Sequence, residues 1–276
     1  MADERLRIAT WNLWWRFGPW ESRQPAIVET MRRVDADIWC VQEVYATRGG
    51  EDQAEQLAAA LGGYHVAHGS RFDLSEFEQS IGNAVVSRWP ITNFEVRPLP
   101  APDGLDELRC VVRADIAAPH HTLEVFVTHL NWRMDQSHVR QDQVRTICEF
   151  VAETRDRREF PPVLCGDFNA LPDSEEIRML TGLTTVPVPK LVFIDAWRAC
   201  GDGPGTTWDN RNGFAAEEFE PDGRIDYVFV GYPRDVGVGH VEAALLVGDE
   251  PIDGVWPSDH FGVSADVRLI PVVNSI

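Results

Sequence analysis

Short apolar runs that stop at a polar residue of catalytic type recur along this chain, and that pattern constrains its fold more than any other feature. The clearest is VLCGDFNALPDS, Val163 to Ser174, where an apolar run ends at Gly166 and is followed by Asp167 and Asn169. Val163, Leu164 and Cys165 predict a short buried strand, and Gly166 admits a backbone geometry that a side chain would resist. Asp and Asn beyond a strand end have two readings. They form turns, because their side chains hydrogen-bond nearby backbone. They also stand where α/β proteins place their chemistry. Taken alone, the segment reads as a turn.

The remaining chain alternates in the same way. LRIATWNLW, IWCVQEV, GNAVVSRWPI, RCVVRADIAA, TLEVFVTHLNW, RIDYVFV, VEAALLVG and HFGVSADVRLI predict strands, with turns that suggest antiparallel neighbours. PAIVETMRRVDADI has helical spacing through Ile27, Val28, Met31 and Val34. EDQAEQLAAALGG predicts a helix closed by glycines, and SEEIRMLTG a shorter one. SHVRQDQVRTICEFVAETR is the clearest helix, with Val139, Val144, Ile147, Phe150 and Val151 near the core-facing period. GDGPGTTWDNRNGF reads as a Gly/Asp-rich loop. No repeat or low-complexity linker divides the 276 residues, so the expectation is a single domain over 1–276, mixed α/β with substantial antiparallel pairing.

Bulk properties remove several classes. No apolar run approaches the ~18 residues of a membrane span. MADERLRIATWNLWW lacks a basic-then-apolar signal layout, so a cytoplasmic protein is expected, with no obligate protein partner. Cys40, Cys110, Cys148, Cys165 and Cys200 are scattered, odd in number and unpaired by motif, which indicates neither a disulfide framework nor a zinc site. A formal charge of −19 opposes the broad basic surface of a protein that holds long duplex DNA through phosphates. Any basic groove has to be local.

Polar residues end or interrupt most of the strands: Asn12, Glu43, His129, Asn131, Asp167, Asn169, Asp226 and the pair Asp259–His260. Singly each has an ordinary explanation, as a strand-end amide, a solvated acid or a bonded core histidine. Jointly they do not, because such groups are costly to bury unless paired or bound to a cation. Convergence would give carboxylate oxygens for a hard divalent cation and imidazoles for proton transfer. Mg²⁺ suits that donor set, and Mn²⁺ is the alternative.

The blocks TWNLWW, VQEV, GNAVVSRWPI, THLNW, GDFNALPDS, RIDYVFV and SDHFGV resemble, in order, those of the endonuclease/exonuclease/phosphatase superfamily of metal-dependent phosphoesterases. The resemblance runs from about residue 7 to about residue 268. It implies a four-layered sandwich, two central mixed or antiparallel β-sheets flanked by α-helices, with the site where loops meet at one edge. By resemblance Glu43 is the principal metal ligand, Asn12 lies beside it and Asp259 contributes. His260 is the general base and Asp226 fixes its tautomer, although 34 positions separate them (260 − 226). Asp167 orients the water or protonates the leaving group, Asn169 bonds the phosphate, and His129 donates to a non-bridging oxygen.

Trp14 stands where repair nucleases of the exonuclease-III type carry an acid, and His129 where they carry tyrosine. Both point to the branch with pancreatic-type deoxyribonucleases, sphingomyelinases and deadenylases. Trp14, Arg16, Asn131 and Arg133 are candidate substrate contacts, and Arg88 and Arg140 further candidates for local positive potential. Arg140, with Arg145, equally fits the exposed face of the long helix. The leading function is divalent-metal-dependent hydrolysis of a phosphodiester or phosphomonoester by water attack on phosphorus. A nuclease acting on polymer DNA or RNA and an inactive phosphate-binding module are the alternatives. The partner is a phosphoester substrate, with nucleic acid or a phospholipid headgroup as its candidate sources.

Overall fold

The computed structural model describes residues 4–69, 78–101, 108–155 and 160–272. Two six-stranded sheets lie face to face. The first runs β11 (Val241–Val247), β12 (Gly262–Arg268), β1 (Arg5–Asn12), β2 (Ile38–Thr47), β4 (Gln79–Ser87), β3 (His65–Gly69). The second runs β5 (Ile91–Pro98), β6 (Cys110–Ala117), β7 (Thr122–His129), β8 (Val163–Asp167), β10 (Asp226–Gly231), β9 (Phe193–Asp195). Among the described residues only β1 with β2 and β7 with β8 pair in parallel. The expected sandwich of two mixed sheets is what forms.

Side chains alternate across each strand, so every strand feeds two layers. Leu6, Ile8, Cys40, Val112, Val125, Val127, Cys165 and Val228 share the core between the sheets. Trp11, Trp39 and Val41 turn the other way, against Ile27 and Met31 of α1 (Trp20–Val34) and Leu57 of α2 (Gln53–Ala60). Phe126, Leu164, Tyr227 and Phe229 pack on Val144, Ile147 and Phe150 of α3 (Ser137–Thr154) and on Ile177 of α4 (Glu175–Thr181). Each of these side chains, fully buried, stabilises the fold by roughly 1.5–3 kcal/mol. Helix, sheet, sheet and helix make the four layers.

Several expectations are refined. GNAVVSRWPI is two strands: the Trp89 N–H bonds Ser87 Oγ, and the chain crosses from the first sheet to the second before Ile91. The first helix starts at Trp20, five residues before the expected stretch that begins at Pro25, and keeps Pro25 in its opening turns. β3, β9, α5 (Ala196–Cys200) and α6 (Gly213–Ala216) are too short to have shown a period. Arg140 does not decorate α3; it is buried and bonded to Glu176 of α4. No cysteine is paired, and no described helix is long and apolar enough to cross a membrane.

Candidate active site

The site is the polar end of the inter-sheet core. In β1 the inward series Leu6, Ile8, Thr10 continues to Asn12; in β7 the series Leu123, Val125, Val127 continues to His129; in β8 Val163 and Cys165 continue to Asp167. β10 starts with inward Asp226. Strand register places His129 and Asp226 on either side of Asp167. Three chemical groups thus sit shoulder to shoulder because the alternation that buries valines has not changed. Glu43 arrives differently. The pairing of β2 with β4 shifts between Val41 and Val44, and Glu43 within that bulge has φ 53°, which re-aims its side chain.

Gly166 proves not to be a turn residue. It lies inside β8, and a Cβ there would stand 2.1 Å from the Thr128 carbonyl oxygen, so glycine is what lets β7 and β8 close up beside the site. The turn follows at Asn169, whose φ is 48° and whose backbone N–H bonds Asp167 Oδ1 at 2.9 Å.

Asn12, Glu43, His129, Asp167, Asn169, Asp259 and His260 all line one cavity of about 520 Å³. Asn12 bridges two of the acids, its Nδ2 donating to Asp167 Oδ2 at 3.1 Å and to Glu43 Oε1 at 3.3 Å. His260 Nδ1 lies 3.0 Å from Asp226 Oδ2, and its Nε2 lies 3.8 Å from Asp167 Oδ2. His129 Nε2 stands 3.3 Å from the same Asp167 oxygen. Ser258 Oγ donates toward the Asn12 carbonyl at 2.7 Å and lies 3.2 Å from Asp259 Oδ1, while the Asn212 amide holds the Ser258 carbonyl. Asp226 therefore orients the histidine without touching the cavity.

The charges do not balance among themselves. Burial, then the nearby Asp226 carboxylate, push Asp167 up to about 7, against His260 and the bonds from Asn169 and Asn12. Burial pushes Asp259 to about 7 as well, opposed by His260 and reinforced by Glu43. Burial would lower the His260 imidazole, but Asp226, Asp167 and Asp259 outweigh it and hold it well above the ordinary histidine value. Burial, with Arg109 and His260 nearby, holds His129 well below that value, so it stays neutral. Among the described residues no Arg or Lys forms an ion pair with Glu43, Asp167, Asp226 or Asp259, and Glu43 Oε2 and Asp226 Oδ1 are buried with no hydrogen-bond partner. A hard divalent cation fits this surplus of oxygen donors. Glu43 and Asp259 are free to supply such donors. Asp167, Asp226 and His260 also offer ligand atoms within 4.8 Å of one another, but there His260 and Asp226 are already bonded to each other.

The expected substrate contacts divide. Trp14 lines the cavity; Arg16, Asn131 and Arg133 do not. Arg16 pairs with Glu51 and covers Tyr45, Asn131 is buried against Gln136 and caps Arg133, and Arg133 lies over Trp132. Arg88 is held by Asp35 and Asp37. The arginine that reaches the cavity is Arg109, at the head of β6. Pairing of β6 with β7 could have revealed it, since β7 ends at His129. Trp208 was hidden in the Gly/Asp-rich loop; its ring meets His260 edge-on with centroids 5.0 Å apart. Glu218 and Glu220 add acid to the rim, and no strand pattern marks them.

A family model described as Endonuclease/Exonuclease/phosphatase family matches residues 9–260. The chain is 28% identical over 220 residues to Protein angel of Drosophila melanogaster, covering 70% of this chain and 57% of that protein. It is 26% identical over 213 residues to CCR4-NOT transcription complex subunit 6-like-B of Xenopus laevis, covering 57% of this chain and 37% of that one. The chain thus spans just over half, or less, of the curated relatives it matches. An endonuclease/exonuclease/phosphatase from Beutenbergia cavernae superposes with a TM-score of 0.73 at 26% identity, over 96% of this chain and 72% of that chain. D. rerio TDP2, solved with a single strand DNA product, shares the fold at a TM-score of 0.77 and 18% identity, over 96% and 99% of the two chains. With a match that begins inside β1 and ends on His260, the chain belongs to the Endonuclease/Exonuclease/phosphatase family, whose members are hydrolases of phosphoester bonds.

Proposed function

We propose that this protein is a divalent-cation-dependent phosphoester hydrolase in which water attacks phosphorus in line. The observation that carries the reading is the His260–Asp226 pair at 3.0 Å, aimed into a cavity whose other walls are Glu43 and Asp259. Asp226 accepts the hydrogen bond from Nδ1–H, leaving Nε2 of the neutral imidazole to accept a proton from the nucleophile. A cation held by Glu43 and Asp259 would favour that neutral form by offsetting the acids that otherwise keep His260 protonated. Asp167, 3.8 Å from that nitrogen, orients the water. Neutral His129 and the Asn169 amide donate to non-bridging oxygens as charge grows on them. Glu43 and Asp259, with the Asn12 amide fixing Glu43, would hold Mg²⁺ or Mn²⁺, which supplies Lewis-acid stabilisation of the phosphate when bound.

The substrate we infer is a phosphodiester at a single-strand end or in a small molecule. The charge of −19 and the rim acids Glu218 and Glu220 disfavour long duplex, while Trp14, Trp132 and Trp208 offer faces for a base. Purified protein should hydrolyse bis-p-nitrophenyl phosphate with Mg²⁺ or Mn²⁺, stop in EDTA, and leave plasmid DNA unnicked. Absence of turnover with either ion sinks the hydrolase reading, and efficient plasmid nicking sinks the substrate choice.

A further inference from the structure

Carboxylates outnumber basic side chains 44 to 25 in this chain, so an arginine that finds no acid is an anomaly. Arg198, on α5, is exposed, and its guanidinium has no ion-pair, hydrogen-bond or ring partner among the described residues. It lines a cleft of about 530 Å³, outside the catalytic cavity, with Arg178, Arg224, Trp197, Pro172 and Asp173. Arg178 is loosely engaged, 4.0 Å from Glu175 and 3.4 Å from the Leu183 carbonyl. Arg224 is buried, bonded through both Nη atoms to Asp195, yet its Nε has no partner. Asp173 is the one acid among the described lining residues.

The cleft is held open by packing. The loop after α5 lies flat on the Trp197 indole: a Cβ at Gly201 or Gly205 would stand 2.4 Å or 2.2 Å from the ring, and the Trp197 Nε1–H bonds the Gly203 carbonyl at 3.1 Å. Gly203 and Gly205 take φ 70° and 66°, a conformation that side chains resist. Its walls also continue toward the catalytic site. Asn169 and Ile225 line the catalytic cavity, Leu171 and Gly223 line an apolar cleft beside it, and Pro172, Asp173 and Arg224 line the arginine cleft.

We propose that the Arg178–Arg198–Arg224 cleft is a second phosphate-binding site, occupied by a phosphate group remote from the bond that is cleaved. Guanidinium groups present several N–H donors to one phosphate and do so while staying charged. The phosphate belongs either to the substrate itself, a single strand whose later phosphates follow the shared wall, or to a separate phosphorylated ligand. This rests on the hydrolase reading only for the first source.

Two arms separate the sources. In EDTA, equilibrium dialysis with pyrophosphate should show a site that weakens about tenfold in Arg198→Ala with Arg178→Ala, the size of one or two charge-assisted hydrogen bonds. In kinetics, kcat/KM should rise with length along a series of single-strand oligonucleotides, and Arg198→Glu should cut it about tenfold for the longest and flatten its salt dependence by about one charge, while bis-p-nitrophenyl phosphate turnover stays unchanged. Weakened pyrophosphate binding without a length effect assigns the site to a separate ligand. Wild-type pyrophosphate binding and an unchanged length series in the arginine variants overturn the proposal. Failure of wild-type protein to turn over the chromogenic ester would count against the hydrolase reading and leave the dialysis arm intact.

Discussion

Two kinds of buried carboxylate coexist in this molecule. Asp195 and Glu176 each meet an arginine, and both oxygens of each are matched: Arg224 Nη1 and Nη2 serve Asp195 at 3.0 and 2.7 Å, while Arg140 and the Ser137 hydroxyl serve Glu176. The acids of the catalytic cavity, and Asp226 behind it, meet amides, a serine and imidazoles instead, and Glu43 Oε2 and Asp226 Oδ1 meet nothing. An arginine cannot leave and cannot lose its proton, so an acid it clasps is closed to further chemistry. An imidazole can shed its proton, and an orphaned oxygen can accept a cation. On the proposed function, the difference separates carboxylates that hold the fold from carboxylates kept for reaction.

The largest test of that separation is His260→Ala. Removing the proposed general base should lower kcat on bis-p-nitrophenyl phosphate by about a thousandfold, within the span expected for general-base loss, with circular dichroism unchanged. Turnover near the wild-type rate would put His260 among the structural groups. The opposite pattern is expected of Asp195→Asn. Arg224 would be left with its charge buried and only half answered, which costs about 3 kcal/mol of unfolding free energy in urea titrations. Catalysis should stay at the wild-type level under folding conditions. Loss of activity without loss of stability would reverse the two classes.

Cation binding comes next in size. If the orphaned oxygens await a cation, Mg²⁺ at a hundred times its dissociation constant should stabilise the protein by about 2.7 kcal/mol, read as a rise in melting temperature. Glu43→Gln should remove most of that rise, and Glu176→Gln, although destabilising in itself, should leave the increment intact. An equal Mg²⁺ increment in wild type and Glu43→Gln would dissolve the contrast.

Which residues belong to which class was partly legible from sequence. Asn12, His129, Asp167 and Asp226 could be read because they occupy core-facing positions of strands whose other core-facing positions are Val, Ile, Leu or Cys, apart from Thr10 in β1. A polar residue in such a series has to be explained. Glu43 was legible by motif alone, since the bulge between Val41 and Val44 breaks the alternation that would have predicted its direction. Arg16 and Asn131 misled because nearness in sequence to Asn12 and His129 says nothing about which way a loop side chain turns; Glu51 and Gln136 take them. Arg140 misled for a related reason. Its helical position next to Val139 fits the rim of the apolar stripe, and only α4 packing against α3 supplies the buried Glu176. Partners contributed by distant segments, including Arg109 and Trp208 at the cavity, leave no local period to read.

The smallest expected effect is also the sharpest, because its sign differs between the two classes. In Asp167→Asn the amide oxygen can still accept the Asn169 N–H, now 2.9 Å from Oδ1. What is lost is one bond from Asn12 and the attraction of the His260 imidazolium, whose Nε2 lies 3.8 Å away; what is removed is a charge buried beside Asp226 with no arginine to answer it. A carboxylate retained for structure would be missed. One retained for chemistry at the expense of stability would not, and its neutral isostere should stabilise metal-free protein by about 1 kcal/mol while turnover collapses. Urea titrations in EDTA measure the first quantity and the chromogenic assay in Mg²⁺ the second. A variant less stable than wild type by as much as Asp195→Asn would place Asp167 with the arginine-clasped acids and remove the contrast on which the catalytic reading of this cavity stands.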